Sequence, residues 1–124
     1  MTSDERSSQS LLDTSDESNS VVLVMTNCPS MDVAKELAEV ILTKKLAACV
    51  NILPQVQSMY TWRGQREVAT EVPLMIKTMQ TSYLALQELL LQIHPYELPE
   101  IIALPITDGL PAYLQWVKTE TGRS

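Results

Sequence analysis

One short stretch, from His94 to Glu100, concentrates the side chains that could perform acid–base or metal chemistry. It contains the only histidine among 124 residues, and histidine is the side chain that most readily changes charge near neutral pH. Glu97 and Glu100 are the carboxylates that could orient the ring as a general base, which would suit a small hydrolase or isomerase. Because neither a glycine-rich phosphate loop nor a Ser-His-Asp spacing accompanies the stretch, we favour binding over catalysis.

Sulfur side chains offer a second kind of chemistry, the binding of a soft metal ion. Thioether, thiolate and imidazole groups together suit Cu(I) better than a hard cation. Cys28 and His94 form the candidate metal site, although two ligands specify little and buried sulfur side chains commonly only fill a core. The soft side chains considered as candidate ligands are Met25, Cys28, Cys49, Met59, Met75 and His94.

Three aromatic residues and one lysine are candidates for lining a cleft or an interface. Tyr60, Trp62 and Tyr96 each combine a large ring with a polar tip, which suits an interface or a core equally well. Lys77 lies in the apolar part of a predicted strand, where an unpaired lysine is rare. We therefore expect a carboxylate or a bound anion beside it, unless it occupies a solvated strand end.

Charge is distributed unevenly along the chain and argues against nucleic acid as a partner. The net charge is −6, and residues 1–20 carry −4 of it, from five carboxylates against Arg6. This segment has too few apolar side chains to offset its ordering entropy, so we predict that residues 1–20 form a disordered acidic tail. The remainder is nearly neutral and lacks the clustered basic surface that nucleic acid requires.

The cysteines and the apolar runs set expectations for the compartment. Cys28 and Cys49 are too few for a disulfide scaffold and match no zinc spacing, so both are expected as free thiols. No apolar run is long enough to cross a bilayer, and the N-terminus lacks the apolar core of a signal peptide. The sequence predicts a cytoplasmic protein without a membrane partner.

Strand and helix patterns alternate through residues 21–121, which we predict to form one domain. Ser30 offers an N-cap to the first helix, and Pro95 predicts that the second helix ends at His94. Arg63-Gly64-Gln65 is typical of a hairpin turn, and Pro111 suits the first turn of a last helix. The predicted strands are Val21–Thr26, Leu46–Leu53, Val56–Trp62, Arg66–Thr78 and Ile101–Ile106.

This order, β-α-β-β-α-β with a C-terminal helix, predicts the fold class. Because β-α-β crossovers are right-handed, two such units intercalate into one antiparallel sheet with helices on one face, a ferredoxin-like α+β sandwich. The other face would be bare of helices, which predicts a homo-oligomer. Pro73 conflicts with its strand because it removes a ladder donor, so it predicts a bulge or an unpaired edge.

Five segments carry a family resemblance: Leu46–Asn51, Tyr60–Gly64, Glu71–Thr78, His94–Ile101 and Tyr113–Trp116. In this order and spacing they resemble the CutA divalent-cation tolerance proteins, over roughly residues 21–121. The resemblance implies a ferredoxin-like subunit in a homotrimer that is similar to the PII-like signalling proteins. It also implies a role in tolerance of divalent metals, copper binding in some members, and no catalysed reaction.

The same resemblance implies ligand sites in the clefts between subunits, with copper or another divalent metal ion as the cofactor. Copper-binding members carry a cysteine where Met25 stands here and a histidine pair where this chain has Ile93-His94, so one ligand differs and one is missing. Cys28 lies nearby as a substitute. A ligand-free scaffolding trimer is the remaining alternative. The matching cleft positions are Tyr60, Trp62, Lys77, His94, Tyr96 and Glu97.

Overall fold

Residues 20–122, which the computed structural model describes, form five strands and three α-helices. The order is the predicted one, β-α-β-β-α-β followed by a C-terminal helix. The predicted acidic tail lies outside the described residues, except for Ser20. In chain order the elements are β1 (Val21–Cys28), α1 (Met31–Thr43), β2 (Cys49–Ile52), β3 (Val56–Trp62), β4 (Gln65–Met79), a 3-10 turn (Gln80–Ser82), α2 (Tyr83–Ile93), β5 (Ile102–Pro105) and α3 (Pro111–Glu120).

Local sequence sets the ends of the helices. The Ser30 hydroxyl accepts a hydrogen bond from the backbone N–H of Val33 at 3.2 Å, so it caps α1 as predicted. Helix α2 ends at Ile93, and His94 is extended, with φ −74° and ψ 135°, because the proline that follows disfavours helical geometry. Pro111 opens α3, where its missing N–H would have had no helical partner. None of the described helices has the length and apolar character needed to cross a membrane.

The strands form one antiparallel sheet in the order β2-β4-β1-β5, with β3 also paired to β4. Alternate residues of the two central strands, among them Val22, Val24, Leu74 and Ile76, pack against α1 and α2 and form the main core. This arrangement follows from the period-two alternation of side chains along a strand. An antiparallel sheet with two helices packed on one face confirms the predicted α+β ferredoxin-like class.

The opposite face of the sheet is largely open. Leu23 is paired with Leu104, and Met25 with Ile102, so these four side chains share one face. Leu104 is 43% exposed and Ile102 is 49% exposed. Helix α3 covers only the end of this face near Val21, which packs with Met79 and Val117 in a smaller cluster. We call Leu23, Met25, Ile102 and Leu104 the bare face.

Among the described strands, β3 pairs only with β4, and the two form a two-stranded ribbon. The ribbon closes at Arg63-Gly64, whose φ angles of 52° and 80° are both positive. Two positive φ values are what a type I′ hairpin turn requires, and the predicted turn is confirmed. Met59 and Val68 face each other across the ribbon and are 68% and 58% exposed.

Pro73 lies where β4 changes partners, between the part paired with β2 and the part paired with β3. Its carbonyl accepts a hydrogen bond from the N–H of Leu53 at 3.0 Å. Since the N and C=O of one strand residue point to the same side, the nitrogen without a proton faces the gap after β2. The proline therefore lies between the β2 and β3 pairings on this side of β4, where a donor is not needed, and is paired with Asn27 of β1 on the other side.

The second strand is shorter than the predicted Leu46–Leu53, because the chain turns before it. Lys45 has φ 56°, in the left-handed region, and β2 begins only at Cys49. The Leu46 carbonyl accepts a hydrogen bond from the Thr78 hydroxyl at 2.7 Å instead of entering the strand ladder. An apolar run alone did not reveal that its first residues fold as a turn.

Candidate functional site

A cleft of about 460 Å³ opens between the β3–β4 ribbon and the loop that follows α2. Four of the six predicted cleft residues line it: Tyr60, Trp62, Tyr96 and Glu97. Three glutamates are among its walls, so we call it the carboxylate cleft. Its lining residues are Asn27, Tyr60, Trp62, Ala69, Glu71, Tyr96, Glu97, Leu98 and Glu100.

His94 does not line the cleft but supports it from behind. Its ring lies against the ring of Tyr96, with centroids 4.8 Å apart. The backbone N–H of Tyr96 donates to Nδ1 of His94 at 3.2 Å, so Nδ1 carries a lone pair and Nε2 carries the proton. Nε2 then donates to the Asn27 carbonyl at 2.7 Å. Burial lowers the pKa of His94 from its ordinary 6.5, against the opposing effects of the Asn27 hydrogen bond and the Glu71 charge.

Glu71 forms the inner wall of the cleft and is 7% exposed. The Tyr96 hydroxyl donates to its Oε2 atom at 2.9 Å. Burial raises the pKa of Tyr96 well above its ordinary value, and the hydrogen bond and negative charge of Glu71 raise it further. The Tyr96 hydroxyl therefore keeps its proton at neutral pH and acts as a hydrogen-bond donor. This bond joins the loop after α2 to β4.

The mouth of the cleft is held by a guanidinium and an amide. Nη2 of Arg63 lies 2.9 Å from Oε2 of Glu97, and both side chains are well exposed, at 69% and 72%. The Arg63 guanidinium also lies over the Trp62 ring, 5.1 Å from its centroid. On the other side, Nδ2 of Asn27 donates to Oε1 of Glu100 at 3.1 Å.

Lys77 is absent from the lining of the carboxylate cleft. It lies six residues beyond Glu71 on β4, roughly 20 Å away at the rise of a strand, and its Nζ is 6.0 Å from the Tyr113 ring centroid on α3. Among residues 20–122, no carboxylate forms a salt bridge with Lys77. The neighbour of the Lys77 ammonium at this end of the sheet is the Tyr113 ring. The family resemblance had not indicated this contact.

The predicted metal pair, Cys28 and His94, fits a metal ion poorly as it stands. Cys28 is fully buried, and burial, with the nearby Glu71 charge, raises its pKa to about 11, so the thiolate that binds metals is disfavoured. Both ring nitrogens of His94 are already hydrogen-bonded. Across the described part of the chain, no three His, Cys, Asp or Glu side chains are grouped closely enough to hold a metal ion.

The catalytic alternative required His94 to pair with a glutamate, and the geometry pairs these residues with other groups. Glu97 is bound to Arg63, and Glu100 to Asn27. The partner of the histidine Nε2 is a backbone carbonyl, which orients a ring but accepts no proton. The ring therefore has a positioning role in this structure.

Two polar residues of the site, Asn27 and Glu71, were not singled out as site residues from the sequence. Glu71 stands at the start of the apolar Glu71–Thr78 segment, and a carboxylate entering a buried strand is a usable signal, since unpaired buried charge is rare. Asn27 carried no such signal, because its contribution depends on the loop after α2 returning to the end of β1. Because Asn27 and the loop are far apart in the sequence, the sequence alone does not predict their contact.

Comparison with known proteins gives a consistent family assignment. The family described as CutA1 divalent ion tolerance protein matches residues 22–120. Protein CutA of Mus musculus is 47% identical over 102 residues, covering 82% of this chain and 58% of the relative. The divalent-cation tolerance protein CutA of Thermus thermophilus is 40% identical over 100 residues, covering 81% of this chain and 97% of the relative. The chain thus spans about three fifths of the mouse relative.

A solved structure agrees with the sequence relatives. The crystal structure of CutA from Xylella fastidiosa superposes with a TM-score of 0.80 at 40% identity, covering 83% of this chain and 99% of that one. This likeness extends over nearly all the described residues, so the similarity concerns the whole sheet and its helices. It confirms the fold that the order of elements predicted.

The relatives also correct the predicted compartment. The Arabidopsis thaliana and rice relatives are named chloroplastic, and a structure from Archaeoglobus fulgidus is named a periplasmic divalent cation tolerance protein. The cytoplasmic prediction, drawn from the lack of a signal-peptide pattern, is therefore wrong as a property of proteins of this kind. Relatives that share this family are thus named for different compartments.

Proposed function

This chain belongs to the CutA1 divalent ion tolerance family, and from that membership we propose that it acts by binding a ligand rather than by catalysing a reaction. The observation that carries the proposal is the carboxylate cleft, a preformed cavity of about 460 Å³ with Glu71, Glu97 and Glu100 in its walls. Cavities of this size, with aromatic walls and a few convergent polar groups, are typical ligand sites.

Divalent cations are the first ligand class to test, since they stand in the names of the relatives. Hard divalent ions prefer carboxylate and amide oxygens, and the cleft offers three carboxylates and the Asn27 amide. Within residues 20–122, no three His, Cys, Asp or Glu side chains are grouped closely enough for a metal ion, so a closed metal site would take its remaining ligands from a neighbouring subunit. Copper at Cys28 and His94 remains the separate prediction of the sequence.

We also propose that the protein is a homotrimer, as the family resemblance implies. The bare face and the Met59–Val68 pair of the ribbon expose apolar side chains that one subunit does not cover. Isolated two-stranded ribbons are marginally stable in water, and exposed apolar patches mark interaction surfaces. If three copies packed through these surfaces, the bare face and the Met59–Val68 pair would both be shielded from water. The cleft would then lie at a subunit boundary.

Sedimentation equilibrium tests the assembly. The parent protein is expected to have the mass of a trimer at micromolar concentration, and Leu104→Lys to have a smaller mass, because a lysine on the bare face would be buried. Leu84→Lys is the matched control, since Leu84 is 72% exposed on α2, outside that face. A monomeric mass for the parent protein would overturn the trimer. Equal masses for the two variants would show that the bare face is not part of the interface.

Calorimetric titration with Cu(I), with Cu(II) and with hard divalent ions tests whether the protein binds a metal ion. The Glu71→Gln, Glu97→Gln and Glu100→Gln variants are expected to weaken binding at the cleft, whereas Glu88→Gln on α2 is the charge-matched control outside it. Cys28→Ser and His94→Ala separate a sulfur–imidazole site from the cleft. Ion binding that no cleft variant changes would contradict the cleft as the metal site.

A further inference from the structure

The carboxylate cleft carries an unbalanced negative charge. Among the described residues, its walls include Glu71, Glu97 and Glu100 and no lysine, arginine or histidine. Arg63 pairs with Glu97 from outside the lining, and Glu100 is bonded to a neutral amide. Glu71 is the most consequential of the three, because it is the most buried and a buried carboxylate without a positive partner is costly.

Glu71 keeps capacity for a ligand. Its protein partner is the Tyr96 hydroxyl, on Oε2, and a carboxylate offers about four acceptor positions on its two oxygens. A donor cation that enters the cleft can therefore bond to Glu71 without displacing Tyr96. The hydrogen bond also holds the carboxylate in place, which reduces the entropy lost on binding.

The mouth of the cleft already contacts a cationic side chain of the chain itself. The Arg63 guanidinium lies over the Trp62 ring and binds Glu97 at the same time. An aromatic face beside a carboxylate is a favourable environment for a flat or alkylated cation. Tyr60 and Tyr96 line the same cleft and offer further ring surface.

We propose that the carboxylate cleft binds a small organic cation, an alkylguanidinium or alkylammonium whose charge pairs with Glu71 and whose apolar part lies along Tyr60 and Trp62. This inference rests on the cleft being the ligand site of the proposed function and adds a ligand class to it. Volume and walls both favour such a molecule over a bare ion, which would leave most of about 460 Å³ and the aromatic surface unused.

Calorimetry with n-butylguanidinium and n-butylammonium tests the proposal, with n-butylurea as the neutral ligand of matched shape. The parent assembly is expected to bind both cations saturably and not the urea, and more weakly at high salt. Glu71→Gln, which keeps an acceptor for Tyr96, is expected to lower affinity about tenfold or more. Glu88→Gln, exposed on α2, is expected to leave it unchanged.

Arg63→Gln provides a gain-of-binding test that general damage to the fold would not imitate. Removing the resident guanidinium frees Glu97 and the Trp62 ring, so affinity for n-butylguanidinium is expected to rise. Absence of cation binding by the parent, binding of n-butylurea with equal affinity, or parent-like affinity in a folded Glu71→Gln protein would each overturn the proposal.

The metal titration distinguishes this result from a failure of the proposed function. Divalent ions that bind through the cleft carboxylates, without any binding of n-butylguanidinium, would leave the proposed function intact and remove the organic cation. If a lysine or arginine of a second subunit fills the cleft in the trimer, the free cations will not bind, and the proposal is overturned in the same experiment.

Discussion

The Tyr96 hydroxyl donates a hydrogen bond to Oε2 of Glu71 over 2.9 Å. This bond joins two segments that lie 25 residues apart in the sequence, the loop after α2 and the middle of β4. It satisfies a carboxylate that is 7% exposed and fixes one wall of the carboxylate cleft. The Tyr96 ring also packs against the tilted ring of His94, with an interplanar angle of 52°.

Replacing Tyr96 by phenylalanine is expected to destabilise the protein by about 1–3 kcal/mol. The ring and its packing remain, but Glu71 loses its donor inside a largely buried site, which costs its desolvation penalty. Denaturant unfolding measures the change. Tyr113→Phe, on a 40% exposed ring of α3, is the control and should change the unfolding free energy by less than about 0.5 kcal/mol. Equal changes in the unfolding free energy of the two variants would show that the Tyr96–Glu71 hydrogen bond does not stabilise the fold.

His94 is expected to make stability depend on pH just below neutrality. Burial holds its folded pKa below the ordinary 6.5, so the unfolded chain takes up the proton first. The contribution is complete above about pH 6.5 and is lost as the pH falls from there toward the folded pKa. Protonation would also place a proton on Nδ1, against the N–H of Tyr96.

A series of denaturation curves from about pH 7.5 to about pH 5 checks this, with His94→Gln as the reference. Glutamine does not titrate, so the difference between the two proteins isolates the contribution of the histidine. The difference in unfolding free energy is expected to shrink as the pH falls. Parallel curves for the two proteins would contradict the assignment.

Thr26 carries a buried hydroxyl that lacks a hydrogen-bond partner among the described residues. It lies on β1 opposite Leu74, within the core. Thr26→Val keeps the shape and removes the unsatisfied group, so stability is expected to rise by about 1 kcal/mol. Thermal and denaturant unfolding measure it. Thr61→Val, on the exposed ribbon, is the matched control, and a loss of stability in Thr26→Val would show that the hydroxyl has a partner in solution.

Cys28 is expected to resist alkylation in the folded protein. Its thiol is fully buried and its pKa is raised to about 11, so the reactive thiolate is scarce and inaccessible. Iodoacetamide labelling followed by peptide mass spectrometry should modify Cys28 only as fast as the structure opens, and rapidly in concentrated guanidinium chloride. Labelling of native Cys28 at its unfolded rate would contradict the burial and would restore it as a metal ligand.

The residues of the loop illustrate how far sequence reasoning reaches. Pro95 predicted the end of α2, and the structure places it at Ile93, because the steric effect of a proline acts on its immediate neighbour. Ser30 and the Arg63-Gly64 turn were predictable for the same reason. Tyr60, Trp62, Tyr96 and Glu97 were placed together by the family pattern, and all four line one cleft.

What the sequence alone determined were the local elements, their order and hence the ferredoxin-like class, since caps, turns and side-chain period act over a few residues. Tertiary structure alone decided which chemical groups meet. Glu71 and Asn27 line the cleft, whereas Lys77 lies at the other end of β4. Both ring nitrogens of His94 form hydrogen bonds within the chain. Those outcomes depend on strand register and on the path of a returning loop, which fix distances between residues far apart in the chain.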